Sequence, residues 1–104
     1  MREVTVDELA EALANGARLV DVRELDEYVA GHVPGAVHVP LATVPDHTDA
    51  FAGEGTCYVI CALGGRSMRA CQYLAQFDID TTNVAGGTQA WVNSGRPVVG
   101  GTAS

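Results

Sequence analysis

Cys61 stands where a thiol can be turned into a nucleophile. Before it runs Tyr58-Val59-Ile60, an apolar stretch that reads as a buried strand. After it come Ala62, Leu63, Gly64, Gly65, Arg66 and Ser67, a short glycine-rich loop that opens onto a helical pattern near Ser67. A cysteine is mostly protonated at neutral pH, and its thiolate is stabilised by helix N-termini and by neighbouring arginines. Loop amides from Ala62 to Ser67 can turn inward around the sulfur. Gly64 and Gly65 supply the backbone angles this takes and remove side-chain bulk, and Arg66 adds a fixed planar cation. The spacing predicts an anion pocket directly above a thiolate. Two covalent reactions suit it: transfer of a sulfane sulfur through a cysteine persulfide, and transfer of a phosphoryl or arsenate group through a thiol intermediate.

The elements that must position this loop follow from local signals. Thr5 caps a helix with Glu8 three residues on; its apolar stripe reaches Ala14, and Asn15-Gly16 ends it. A largely apolar strand is predicted over 17–22, a short helix with acids in its first turn over 24–30, and a strand over 36–40 closed by Pro40. Residues 41–55 are the least legible, with one short helix predicted within 45–51. A strand over 56–60 precedes the cysteine. Met68, Cys71, Leu74, Ala75 and Phe77 repeat at helical spacing and predict a helix over 67–77. A strand over 81–84 and a helix over 88–93 follow, Arg96-Pro97-Val98-Val99 closes the domain, and residues 100–104 read as a loose tail. Strands alternating with helices give an α/β, three-layer fold: a mostly parallel sheet with helices on both faces. Sites in such sheets lie beyond the C-terminal ends of the strands, where Cys61 falls.

Composition narrows the setting. The 104 residues suit one domain, 1–99, plus the tail. Hydrophobic residues at 47% and charged residues at 18% are ordinary globular values. No apolar run approaches the ~20 residues of a membrane span, and the first residues lack the apolar core of a signal peptide, so a soluble cytoplasmic protein is expected. The formal net charge is −7, with six arginines and no lysine, which argues against nucleic-acid and anionic-membrane partners. Two of the few cations, Arg66 and Arg69, sit close to Cys61. Arg69 falls either on the solvent side or towards substrate. Three cysteines, Cys57, Cys61 and Cys71, make neither a disulfide framework nor a zinc site. Across an intervening strand, Cys57 and Cys61 would stand more than about 10 Å apart, beyond disulfide reach. Cys71 reads as core and Cys57, at a strand start, as partly exposed. His32 and His38 read as structural, His47 as surface loop, Trp91 as a core anchor, and Glu24, Asp26 and Glu27 as acids favouring a helix N-terminus.

With these residues placed, the chain resembles a single-domain rhodanese, a sulfurtransferase. Cys61 to Ser67 resembles the family's C-x-x-G-x-R-S/T loop, and Asp21-Val22-Arg23 its D-x-R strand end. The segment from Gly31 to Pro40 resembles its G-H-I-P-G-A-x-x-x-P block. Gly86-Gly87-Thr88-Gln89-Ala90-Trp91, followed by Gly95-Arg96-Pro97-Val98, resembles its C-terminal G-G-x-x-A-W and G-x-P-V. The blocks occur in family order across nearly the whole chain. The resemblance implies that Cys61 carries a persulfide, that the amides of Ala62 to Ser67 surround it, and that Arg66 binds the anionic donor or leaving sulfite. Asp21 and Arg23 support the loop. Related phosphatases and arsenate reductases carry a longer loop and usually a histidine before the cysteine; here Ile60 stands there, so sulfur transfer is favoured. Relatives that act only as inactive interaction modules typically lose the cysteine, which this chain keeps; a binding module that presents or senses sulfur without turnover is the alternative from another class. Position two of the loop, often basic or polar in the family, is Ala62, and apolar Leu63 follows. Thiosulfate is therefore expected to be a poor donor, and a persulfide, polysulfide or protein-bound sulfur a better one. A thiol, cyanide or a sulfur-carrier protein is the expected acceptor. No metal or organic cofactor is implied, and a monomer or weak homodimer is expected.

Overall fold

The strands nearest Cys61 bury side chains on both faces, so the sheet needs a helical layer on each. The structure, a computed structural model, describes residues 2–102. Five strands, β1 (Arg2–Val4), β2 (Arg18–Asp21), β3 (Val37–His38), β4 (Cys57–Ile60) and β5 (Thr81–Val84), pair in parallel in the order β1-β5-β4-β2-β3. The α-helices are α1 (Val6–Ala14), α2 (Leu25–Ala30), α3 (Gly65–Ala75) and α4 (Gly87–Asn93). Along β4, Cys57 and Val59 join one apolar cluster with Ala70, Cys71 and Leu74 of α3. Ile60 and, partly buried, Tyr58 join another with Leu9 of α1, Tyr28 of α2 and Trp91 of α4. This period-two alternation is what makes the fold three-layered, as expected.

Local chemistry accounts for most boundaries. Thr5 and Glu8 form the predicted capping box, with Glu8 N–H donating to Thr5 Oγ1 at 3.2 Å and Thr5 N–H to Glu8 Oε1 at 3.0 Å. Trp91 is buried and its Nε1 donates to Pro97 O at 2.9 Å. His32 is buried and stacked on Tyr28, with ring centroids 3.7 Å apart, consistent with a structural role. His47 is exposed.

Several expectations are corrected. Residues 41–50 hold two 3-10 helices, Leu41–Asp46 and Thr48–Ala50, instead of one short helix. Pro45 has no N–H to give an i→i−4 bond, so a longer α-helix is unavailable there. α3 starts at Gly65, ahead of Ser67, and stops at Ala75, leaving Phe77 exposed. Cys57 is fully buried, because β4 is an inner strand covered on both faces. The segment read as a loose tail is tied down at its start: Gly101 N–H donates to Val29 O at 2.9 Å, just beyond an antiparallel bridge between His32 and Val99. Ala103 and Ser104 lie outside the described residues.

β1 was not expected from the sequence. Three residues with only one apolar side chain carry no period, and the strand exists because its backbone completes the edge of β5, with Glu3 opposite Asn83. Among the described residues no helix is long and apolar enough to cross a membrane.

Candidate active site

Parallel pairing aligns the ends of β2 and β4, Asp21 opposite Ile60, so the segments that follow emerge at one edge of the sheet. Cys61 continues the side of β4 occupied by Cys57 and Val59 and is itself buried, 1% exposed. The chain then turns through Gly64, whose φ of +113° lies in the left-handed region that favours glycine. Gly65 has no such need: it begins α3, and no atom lies within 4 Å of where a Cβ would stand. The expectation that both glycines shape the loop therefore holds for Gly64 alone.

The loop is clamped from outside by α4. Unpaired N–H groups at that helix's start donate to the loop carbonyls: Thr88 N–H to Cys61 O at 2.8 Å, Gln89 N–H to Ala62 O at 3.0 Å, and the Thr88 hydroxyl to Cys61 O at 3.0 Å. In a trans peptide the N–H points opposite to the C=O. Drawing the Ala62 carbonyl towards α4 therefore sends the Leu63 N–H the other way, towards the sulfur.

Sγ of Cys61 accepts a hydrogen bond from Gly64 N–H at 3.0 Å and from the Ser67 hydroxyl at 3.3 Å. Burial is the largest single influence on this thiol and pushes its pKa up. The Ser67 hydroxyl and the amides of Ser67, Gly64 and Leu63 together outweigh it, and the net shift is downward. Hydrogen bonds to a charged group contribute about 1.5–3 kcal/mol each, so several converging on one sulfur exceed its desolvation. The other two cysteines have no backbone amides to offset burial, and Cys71 has only the Thr81 side chain. Burial raises Cys57 to about 11, only partly countered by Arg18, and burial likewise raises Cys71. Iodoacetamide at neutral pH is accordingly expected to label Cys61 first. Its labelling rate should reach a plateau at lower pH than that of a free cysteine, because a depressed pKa leaves the thiolate present further into acid. Peptide mapping reads this out, and preferential labelling of Cys57 would contradict it.

Beneath the sulfur lies a residue that sequence reasoning missed. Ser67, buried in α3, also donates to Asn83 Oδ1. Asn83 is fully buried in β5, and its Nδ2 donates to Glu3 Oε2 at 2.8 Å and to Gly64 O at 3.2 Å, which fixes the orientation of the amide. The Ser67 hydroxyl has one proton and three acceptors within reach, Asn83 Oδ1, the Gly64 carbonyl oxygen at 3.2 Å and the sulfur. The available signal was an asparagine inside a strand whose four residues are all buried.

Asp21 and Arg23 sit at the end of β2 and are both buried. The Asp21 carboxylate accepts from Arg23 N–H at 2.9 Å, and Arg23 NH2 donates to Asp21 Oδ2 at 2.8 Å and to Gly31 O at 2.8 Å. This ties the strand end to the C-terminus of α2. Arg66 is half-buried and its guanidinium makes a bidentate pair with Glu27 of α2, at 2.7 and 2.9 Å, a partner the sequence did not suggest. Leu63 is 71% exposed, and Ala62 lines a cleft of about 400 Å³ with Arg23 and Glu27. Arg69 is exposed.

Comparison with known proteins shows the family and the fold. A family model described as "Rhodanese-like domain" matches residues 5–94. A protein named sulfurtransferase from Allochromatium vinosum is 30% identical over 102 residues, covering 95% of this chain and 95% of its own. Among solved structures, a rhodanese-related protein from Thermoplasma volcanium matches with a TM-score of 0.88 at 29% identity, over 95% of this chain and 98% of that one. A rhodanese-like domain protein from Staphylococcus aureus matches with a TM-score of 0.82 at 38% identity, over 88% and 91%.

Proposed function

The chain belongs to the rhodanese-like domain family, and from that premise we propose that it is a sulfurtransferase working through a persulfide on Cys61. The supporting observation is the contrast among its three cysteines: Cys61 alone has its thiol pKa pushed down, by donors built into the loop and α3.

The chemistry runs in two displacements. The Cys61 thiolate attacks the outer sulfur of the donor; a new S–S bond forms, the donor's own S–S bond breaks, and the leaving group departs with the electron pair, as sulfite from thiosulfate or as a thiolate from a hydropersulfide. Cys61 then carries the extra sulfur, whose negative charge is held by the amides of Leu63, Gly64 and Ser67. A nucleophilic acceptor (cyanide in an assay, a thiol or a sulfur-carrier protein in the cell) attacks that outer sulfur and expels Cys61 as thiolate. The loop donors stabilise charge on sulfur at both ends of the cycle, in a site already desolvated before the donor arrives. Ala62 and exposed Leu63 give the approach an apolar character that favours persulfide or polysulfide donors over thiosulfate.

Intact mass spectrometry tests the proposal directly. Exposure to a competent donor is expected to add about 32 Da, one sulfur atom, on the peptide carrying Cys61, and cyanide or dithiothreitol should remove it. No mass gain with thiosulfate, an alkyl hydropersulfide or inorganic polysulfide would end the proposal.

A further inference from the structure

Arg66 is the loop's one guanidinium, and in this structure it already holds an anion. Both arms reach Glu27, NH1 to Oε1 at 2.7 Å and NH2 to Oε2 at 2.9 Å, a fork-to-fork geometry of the kind an incoming oxyanion would otherwise take. Glu27 does not reach Arg66 by chance. It sits in the first turn of α2, where the backbone N–H of Glu24 also donates to its Oε1 at 3.0 Å, so the carboxylate is oriented before Arg66 meets it. The hydrogen bond from Arg66 holds its pKa well down, to about 2, so it stays charged throughout the physiological range. Glu27 also lines the cleft beside Ala62, along one approach to the loop.

We infer that Glu27 is a positioning residue that sets donor selectivity: its carboxylate occupies Arg66 and so disfavours small free dianions in favour of organic hydropersulfides. The inference rests on the sulfurtransferase reading and deepens it. A thiosulfate dianion shares its charge between the outer sulfur and the sulfonate that must leave, and to use Arg66 it has to displace a chelated internal carboxylate and then lie beside it. An uncharged alkyl hydropersulfide asks nothing of Arg66. Its outer sulfur bonds to Cys61, its S–S bond breaks, and its thiolate leaves with the electron pair and takes up the proton that the new persulfide gives up. The thiosulfate reaction is likewise balanced, thiolate plus thiosulfate giving persulfide anion plus sulfite, but it alone brings two charges into contact with Glu27.

Glu27→Gln isolates the effect. Glutamine still accepts from the Glu24 amide, so the helix start is kept while the charge is removed; thermal unfolding checks that the fold is retained, and Glu27→Ala is the second variant. Two measurements decide. First, the ratio of kcat/KM for thiosulfate to kcat/KM for 2-hydroxyethyl hydropersulfide is expected to rise about twofold to fivefold in Glu27→Gln, the scale of one partly exposed ion pair. An unchanged or lower ratio overturns the inference. Second, and independent of turnover, sulfate should protect Cys61 from iodoacetamide at a concentration about twofold to fivefold lower in the variant than in the wild type. Equal protection overturns the inference as well. If neither donor sulfurates Cys61, the sulfurtransferase reading fails on its own, while sulfate protection still reports whether Glu27 blocks the anion site.

Discussion

Replacing Cys61 with serine is expected to lower sulfur transfer by at least about 10³-fold, since the residual rate without the nucleophile comes only from binding and electrostatics. Thiocyanate formation from cyanide, followed with each donor, measures it. The same variant should fold normally. Serine is slightly smaller, is buried at the same point, and keeps Gly64 N–H and the Ser67 hydroxyl as partners for its oxygen, so the stability change is expected to stay within about 1 kcal/mol. Cys57→Ser and Cys71→Ser give the opposite profile: activity retained, stability reduced, because each puts a hydroxyl in an apolar cluster. Undiminished turnover in Cys61→Ser would refute the covalent mechanism. Loss of turnover together with loss of the mass gain would separate an enzyme from a module that merely binds sulfur compounds.

The second large effect lies away from the sulfur, at Gly87. Its φ is +59°, and a Cβ there would stand 2.5 Å from the carbonyl oxygens of both Cys61 and Ala62 and 2.6 Å from Ala62 C. These are backbone atoms with no rotamer to escape into. The left-handed backbone costs an alanine about 1 kcal/mol. Relieving the contact means moving the loop, which breaks the bonds from Thr88 and Gln89 that orient its peptides. Gly87→Ala is therefore expected to lose about 3 kcal/mol or more, a fall in Tm of more than about 10 °C for a domain of this size. In the fraction that folds, the pKa of Cys61 should rise, with transfer slowed about 10- to 100-fold. Gly16→Ala is the control. Its φ is also positive, at +87°, but no atom lies within 4 Å of the added methyl, so only the backbone penalty applies. Equal destabilisation by the two substitutions would show that the close approach of α4 to the loop is unimportant.

The parts of the molecule that were readable in the sequence are those whose cause is local. Tyr58-Val59-Ile60 declares a buried strand, Gly64 a left-handed turn, and Thr5 with Glu8 a helix start, each within a few residues. Cys61 could be singled out because all its immediate donors lie within six residues of it. The supporting contacts were not readable, because they join distant segments. Glu27 meets Arg66 across 39 residues, Ser67 meets Asn83 across 16, and Asn83 meets Glu3 across 80. Nothing in the spacing of those residues distinguishes them from ordinary surface acids or a strand polar residue. β1 has the same explanation, being a strand only by virtue of the edge it completes. Arg66 shows the hazard most clearly: its type and position suggested an open anion site, and only the fold reveals that a carboxylate from α2 is already there.

The clamp of α4 on the cysteine loop also has a consequence expected during synthesis. A nascent chain that has left the ribosome only through α3 already carries Cys61, Gly64 and Ser67. It lacks β5, the next strand in the sheet beside β4, and it lacks Thr88 and Gln89, which set the loop's peptide planes. Such a chain has the thiol without the framework that lowers its pKa, so its sulfur is expected to be poorly reactive until the last elements dock. Pairing of β1 with β5, across some 80 residues, must also close a long loop and comes late for the same entropic reason. Thiolate reactivity at Cys61 is thus expected to appear only once β5 and α4 have docked and the sheet that shelters it is complete.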